Sequence, residues 1–172
     1  RSTKANARIS TWGPESRDDE RRTMNPSLPE ADAETAAEVR DWLDRFAACV
    51  RDVDYAAARP FWHPDIVIFD TYQELVKSLS AWTERQWDNV WPRTAEFRFD
   101  LVNTMVMASR DGSMAVAIAP WTSTGFHEDG TTFHRPGRPP IAFARQADGR
   151  WRSSAMSPTR PPIAEPNTTK YS

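Results

Sequence analysis

Asp70 is the side chain of this 172-residue sequence best placed for acid–base chemistry. It closes the run Asp65-Ile66-Val67-Ile68-Phe69-Asp70, beside Phe69 and Tyr72. A carboxylate among aromatic rings loses solvation and its pKa rises, which suits a general base for proton abstraction or water activation. Tyr72 can then offer a hydrogen bond to a developing oxyanion. The competing role for Asp70 is structural, as a cap on the amides of a following helix. Trp62, Trp82, Trp87, Trp91 and Trp121, with Phe69 and His134, are the candidate lining of a hydrophobic ligand site, or else part of the core. His127 and His134 flank Asp129-Gly130; a two-residue loop there sets Gly125 opposite His134 and His127 opposite Thr132. The two imidazoles then share a face as diagonal neighbours, either a pH-sensitive or metal-binding pair or a solvated hairpin tip. No third ligand stands at a recognisable spacing, so no metal site is expected. His63, before Pro64, packs or caps. Arg135 and Arg138 bracket Pro136-Gly137 and either hold an anionic group or decorate a loop.

Composition narrows the partners. Twenty-two basic and 24 acidic residues leave a formal charge of −2 with no basic run, so the electrostatic footprint of a nucleic-acid binder is missing. No segment approaches the ~18 apolar residues of a membrane span, and none has the apolar core of a secretory signal. A cytoplasmic protein is expected. The single Cys49 excludes an internal disulfide and a multi-cysteine zinc site, and falls on the apolar side of a helix as a buried thiol. Eight Trp and eight Phe point to an aromatic-lined interior.

The elements that must position these residues follow from periodicity. Residues 1–30 lack an apolar stripe and are expected to be a disordered extension, with Met24 a natural start; residues 161–172 form a Pro-rich tail. Between them, 31–160 are expected to form one domain. Ala36, Val39, Leu43, Phe46 and Val50 mark a first helix, capped by Asp32 or Ser27. A short second helix is expected over about Asp54–Trp62, ended by His63-Pro64, followed by a strand to Asp70. Thr71-Tyr72-Gln73-Glu74 has capping-box spacing, and Leu75, Val76, Leu79 and Trp82 predict a third helix as far as Trp91-Pro92. From Phe97 to Met107 the period becomes that of a strand. Three Asp-Gly pairs, at 111–112, 129–130 and 148–149, predict three hairpins in a four-stranded meander, with Met105 opposite Ile118 and Met107 opposite Val116. Helices first and antiparallel strands after is an α+β plan.

This order, with Phe61-Trp62-His63-Pro64-Asp65-Ile66-Val67, Arg85-Gln86-Trp87, Val90-Trp91-Pro92-Arg93-Thr94, Pro120-Trp121-Thr122-Ser123-Thr124-Gly125-Phe126 and Arg135-Pro136-Gly137-Arg138, resembles the nuclear transport factor 2-like superfamily in its SnoaL-like branch, over about Ala33–Pro162. The resemblance implies a cone-shaped fold in which helices pack on a curved antiparallel sheet around a pocket, usually in a homodimer. It also implies a small hydrophobic ligand and, where there is catalysis, cofactor-free isomerisation, cyclisation, dehydration or hydrolysis; non-catalytic binding and dimerisation modules share the fold. Many relatives carry His-x-His-x-Ser after the final tryptophan, where this chain has Ala155-Met156-Ser157, so the roles of those histidines do not carry over. Arg98-Phe99-Asp100 is similar to the Arg-x-Asp pair of epoxide hydrolases on this fold, but no second acidic string accompanies it, and on an alternating strand the pair also reads as a solvent face or dimer contact. The family's dimer habit and the small Ala108, Ala115, Ala117 and Ala119 together suggest a flat outer face that packs on a second copy.

Overall fold

The structure, a computed structural model, describes residues 29–69 and 75–156. Helix α1 (Ala33–Asp52) forms where the apolar stripe predicts it and buries Val39, Trp42, Leu43, Phe46 and Val50. Asp32, one of the two candidate caps, caps it: the Thr35 N–H donates to its Oδ1 at 2.7 Å, while Ser27 lies outside the described residues. The helix stops at Val53, whose left-handed φ of 53° turns its N–H back onto the Cys49 and Val50 carbonyls. Helix α2 (Tyr55–Ala58) opens on Asp54, whose carboxylate accepts from the Ala57 N–H at 2.9 Å, and ends in a single tight turn, Arg59–Phe61.

Strand β1 (Trp62–Phe69) begins earlier than the sequence predicts, and includes Pro64. The pairing of β1 with the last strand shifts register between Trp62 and Val67, an irregularity that accommodates a residue with no ladder donor. The expected third helix is also corrected. Leu75–Val76 is a short strand, β2, paired with β1 through Ile68 opposite Val76, and the helix starts only after Ser78. Leu75, Val76, Leu79 and Trp82 fit a helical stripe and a strand end about equally well, and pairing with β1 decides. Helix α3 (Leu79–Trp82) then runs through a π turn, Thr83–Trp87, into α4 (Asp88–Val90) and a tight turn, Trp91–Arg93. In a regular α-helix residues five apart diverge by about 140° around the axis. The wide turn lets Trp82 and Trp87 both enter the core.

The alternating run from Phe97 to Met107 is two strands, β3 (Thr94–Phe99) and β4 (Met105–Ala108). Between them Asp100 accepts from the Asn103 N–H at 3.1 Å, while Arg40 holds the Leu101 and Thr104 carbonyls, both at 3.1 Å. The remaining strands are β5 (Met114–Ile118), β6 (Trp121–Phe126), β7 (Thr132–Gly137), β8 (Pro140–Arg145) and β9 (Trp151–Met156). They do not make a simple meander. β5 pairs with β8 and β6 with β7, so the chain runs out and back as one long hairpin bent at Ala119-Pro120 and Arg138-Pro139. The result is a six-stranded sheet, β2-β1-β9-β8-β5-β4, and a three-stranded sheet, β3-β6-β7. Together they form the curved sheet of an α+β cone, with the helices packed on it.

Turn chemistry decides the registers. At all three Asp-Gly sites only the glycine has positive φ, so none is a type I′ turn. The β4–β5 register is the predicted one, Met105 opposite Ile118 and Met107 opposite Val116. At the hairpin tip the Gly130 N–H bonds the His127 carbonyl and the His127 N–H bonds the Thr131 carbonyl, so the loop is Glu128-Asp129-Gly130. One extra loop residue slips the register, and His134 faces Thr124, not Gly125. The two histidines therefore lie on opposite faces.

The alanine row is turned the other way from the expectation. Ala115, Ala117 and Ala119 are buried in the core, and the outer face carries Val116, Ile118, Met105 and Met107 instead. On the free edge of β4 lies the first described segment: the Ala31 N–H bonds the Val106 carbonyl, and the Ala108 N–H bonds the Pro29 carbonyl, each at 3.1 Å.

Candidate functional site

The three-stranded sheet presents an inner face whose side chains are set by two local devices. At Glu96, φ is 56° and the β3–β6 register shifts, a bulge that lets Thr94 as well as Phe97 and Phe99 turn inward. Across the sheet, Gly137 and Gly125 leave the room that larger residues fill. A Cβ on Gly137 would collide with the Trp121 indole, and one on Gly125 with the Phe133 ring and the Arg135 chain. Trp121 and Arg135 thus lie flat over glycine backbone and reach the same space, with the guanidinium carbon 5.9 Å from the indole centroid.

That space is a cavity of about 80 Å³ between this face and the helices. Phe46 and Val50 from α1, Trp82, Gln86, Val90 and Trp91 from the π-turn helix, and Met156 from β9 close it. Its polar side chains are Gln86, Thr94 and Arg135; none of the described lining residues is a carboxylate, imidazole or phenol. The Trp82 indole N–H donates to Gln86 Oε1 at 2.9 Å. Arg135 Nη1 donates to Thr94 Oγ1 at 2.8 Å, and the Thr94 hydroxyl donates onward to the Val90 carbonyl at 2.7 Å. Among the described residues no carboxylate pairs with Arg135, and burial alone pulls its pKa down from the ordinary guanidinium value.

Helices packed on a curved antiparallel sheet are the architecture the sequence resemblance implied. The SnoaL-like domain model matches residues 39–156. The chain belongs to the SnoaL-like domain family. No curated protein sequence matches it. Solved structures similar in fold include a nuclear transport factor 2-like superfamily protein from Salmonella enterica serovar Typhimurium, 16% identical over 82% of this chain and 100% of that one, with a TM-score of 0.64. A provisionally assigned ketosteroid isomerase from Shewanella frigidimarina is 14% identical over 69% of this chain and 92% of that one, TM-score 0.56. The S. rosetta CaMKII hub is 18% identical over 77% of this chain and 98% of that one, TM-score 0.57. At these identities the likeness is one of fold.

Within this SnoaL-like domain the candidates from the sequence separate. Trp82, Trp91 and Trp121 line the cavity. Trp62 and Trp87 stand behind it in the core, Trp62 edge-on to Trp82 at 4.7 Å and Trp87 stacked on Trp91 at 4.3 Å. Phe69 and His134 are exposed. Asp70 and Tyr72, with the capping-box string 71–74, lie outside the described residues, as do residues 1–28 and 157–172. His63 Nδ1 accepts from the Asp65 N–H at 3.1 Å, a local turn contact. Arg98 and Asp100 are exposed, and Asp100 is engaged by Asn103. Cys49 is buried, and desolvation raises its thiol pKa, so it is an inert core thiol. Among the described residues no group of three or more His, Cys, Asp or Glu is placed to hold a metal, and no helix is long and apolar enough to cross a membrane.

Sequence reasoning missed Phe46, Val50, Phe97 and Phe99 as lining because they belong equally to core stripes. It weighed Arg135, together with Arg138, as either a holder of an anionic group or a loop decoration, without placing it in the aromatic cavity. The glycines facing Trp121 and Arg135 were the available signal, and they are legible only once the register is known.

Proposed function

We propose that this SnoaL-like domain binds a small, mainly apolar molecule in the aromatic cavity between the π-turn helix and the β3-β6-β7 sheet. The observation that carries the reading is the lining itself: Trp82, Trp91, Phe97, Phe99 and Trp121 surround open space with few polar groups among them, the usual make-up of a ligand site. Val90→Phe puts a larger side chain into that space. Saturation-transfer NMR with a panel of small neutral apolar compounds is expected to show binding to the wild type and its loss in Val90→Phe, at unchanged secondary structure. Equal binding to both proteins, or none to the wild type, would overturn the reading.

The catalytic form of this reading assigns Asp70 as general base and Tyr72 as oxyanion donor. Its support is that β1 buries Ile66 and Ile68 and ends one residue before Asp70, and that none of the described lining residues can take a proton at neutral pH. Asp70→Asn is expected to lower turnover by about 10²–10⁴-fold with little change in ligand affinity. We also assign a homodimer to the outer sheet face, where Val67, Ala155, Ala142, Val116 and Met107 form one apolar row across five strands.

A further inference from the structure

We infer that the ligand of this cavity is a monocarboxylate, with its acid group on Arg135 and its apolar carbons against Trp91, Trp121 and Phe97. The inference rests on the cavity being the ligand site and names the class of compound it takes. Three observations support it. The first is charge. Arg135 enters an aromatic-lined space, and among the described residues it has no carboxylate partner. A cation removed from water without a counter-ion is costly, so an unpaired guanidinium in such a place favours an incoming anion.

The second is valence. Arg135 gives one guanidinium N–H to Thr94 Oγ1, and a guanidinium carries more donors than that one bond needs. A planar carboxylate matches the remaining fork better than a single hydroxyl or carbonyl would. Thr94 does not satisfy the charge, but it does fix the plane. Its hydroxyl proton is committed to the Val90 carbonyl, so its lone pair must face the arginine.

The third is construction. Gly125 leaves the gap over which the Arg135 chain lies, Gly137 does the same for Trp121, and the bulge at Glu96 turns Thr94 inward. All three departures from a regular sheet serve the same guanidinium and the ring beside it. Size narrows the class further. About 80 Å³ is well below the ~300–1,000 Å³ of drug-sized sites, so the cavity takes the acid end and a few carbons.

The test compares sodium butyrate with butyramide, its uncharged counterpart of nearly the same shape, by titration of the full chain followed by indole fluorescence and saturation-transfer NMR, at constant ionic strength. Butyrate is expected to bind at least about 10-fold more tightly than butyramide. Arg135→Gln should weaken butyrate by about 10- to 100-fold, the range for a hydrogen bond to a charged group, and leave butyramide within about twofold. Arg135→Lys, which keeps the charge and loses the fork, should fall between. Equal affinities in the wild type overturn the inference without any variant, so a misfolded Arg135→Gln does not protect it. Butyrate affinity unchanged in a folded Arg135→Gln overturns it as well. Butyramide bound as tightly as butyrate, with both lost in Val90→Phe, leaves the cavity as a ligand site and removes only the acid. Binding of neither compound, nor of the neutral apolar panel, removes both.

Discussion

Asp111 shows how much local geometry can do for an exposed carboxylate. Its oxygen Oδ1 accepts from the Ser113 N–H and from the Ser109 and Ser113 hydroxyls, and these bonds hold its pKa down to about 2. A carboxyl with a folded pKa below its unfolded one stabilises the fold above the unfolded pKa, near 3.8, and loses that effect as the pH falls toward the folded pKa near 2. Asp111→Asn should therefore lower the melting temperature by a constant amount above about pH 5. The gap to the wild type should close between about pH 4 and pH 2. Thermal melts across pH 2–7 provide the check, and a gap that is the same at pH 2.5 and pH 6 would show that the charge is not what the turn uses.

At the scale of elements, the helix that carries Trp82, Gln86 and Trp91 depends on a single cap. The Ala81 N–H donates to Ser78 Oγ at 3.2 Å, and the turn after it widens so that both Trp82 and Trp87 are buried. Ser78→Ala is expected to cost about 1 kcal/mol in urea unfolding, with Ser78→Asp within a few tenths of the wild type. An unchanged midpoint in Ser78→Ala would mean that burial of the tryptophans alone sets the start of the helix. This element also marks where the sequence stopped being legible. The α1 stripe and the Met105–Ile118 register follow from spacing, Asp32 was one of two caps that the sequence offered, and the SnoaL-like order of elements came from the family resemblance. The helix start did not, because Leu75-Val76 could join β1 or the helix, and only the pairing of Val76 with Ile68 chooses. Nor did the His134 register, since Asp-Gly fits both a two-residue turn and a longer loop with positive φ at glycine alone. Among the site residues, Trp82, Trp91 and Trp121 were visible as aromatic positions. Arg135 was visible as a candidate for an anionic group, but its place beside Trp121 in the cavity became legible only when β7 was aligned on β6 and Gly125 fell beneath it.

For the whole molecule, the outer sheet face is the proposed surface for assembly. A row of five apolar residues with Met105 and Met114 exposed near it is more than a lone surface hydrophobe needs explaining, and it lies opposite the core. The chain is expected to run at the mass of a dimer in light scattering, and Val116→Glu, at the centre of the row, to run as a monomer with an unchanged circular dichroism spectrum in the peptide region. A wild type of monomeric mass at high protein concentration would count against the assigned face. The covered edge of β4 belongs to the same economy: with Pro29–Ala31 paired along it, the sheet offers its face to a partner more readily than that edge.

The tryptophan cluster has a spectroscopic consequence. Trp87 and Trp91 stack with their planes 18° apart and centroids at 4.3 Å, Trp82 meets Trp87 at 5.2 Å, and Trp62 meets Trp82 at 4.7 Å. Indoles held this close, at fixed mutual angles, couple their electronic transitions and exchange excitation energy. The folded chain should therefore show an exciton couplet in circular dichroism that no single tryptophan produces, and its emission should be depolarised by transfer along the chain of rings. Both signals depend on the angles between rings rather than on backbone hydrogen bonds. They should vanish when packing loosens but helices and strands persist, which makes the core its own optical gauge for telling a native interior from a molten one.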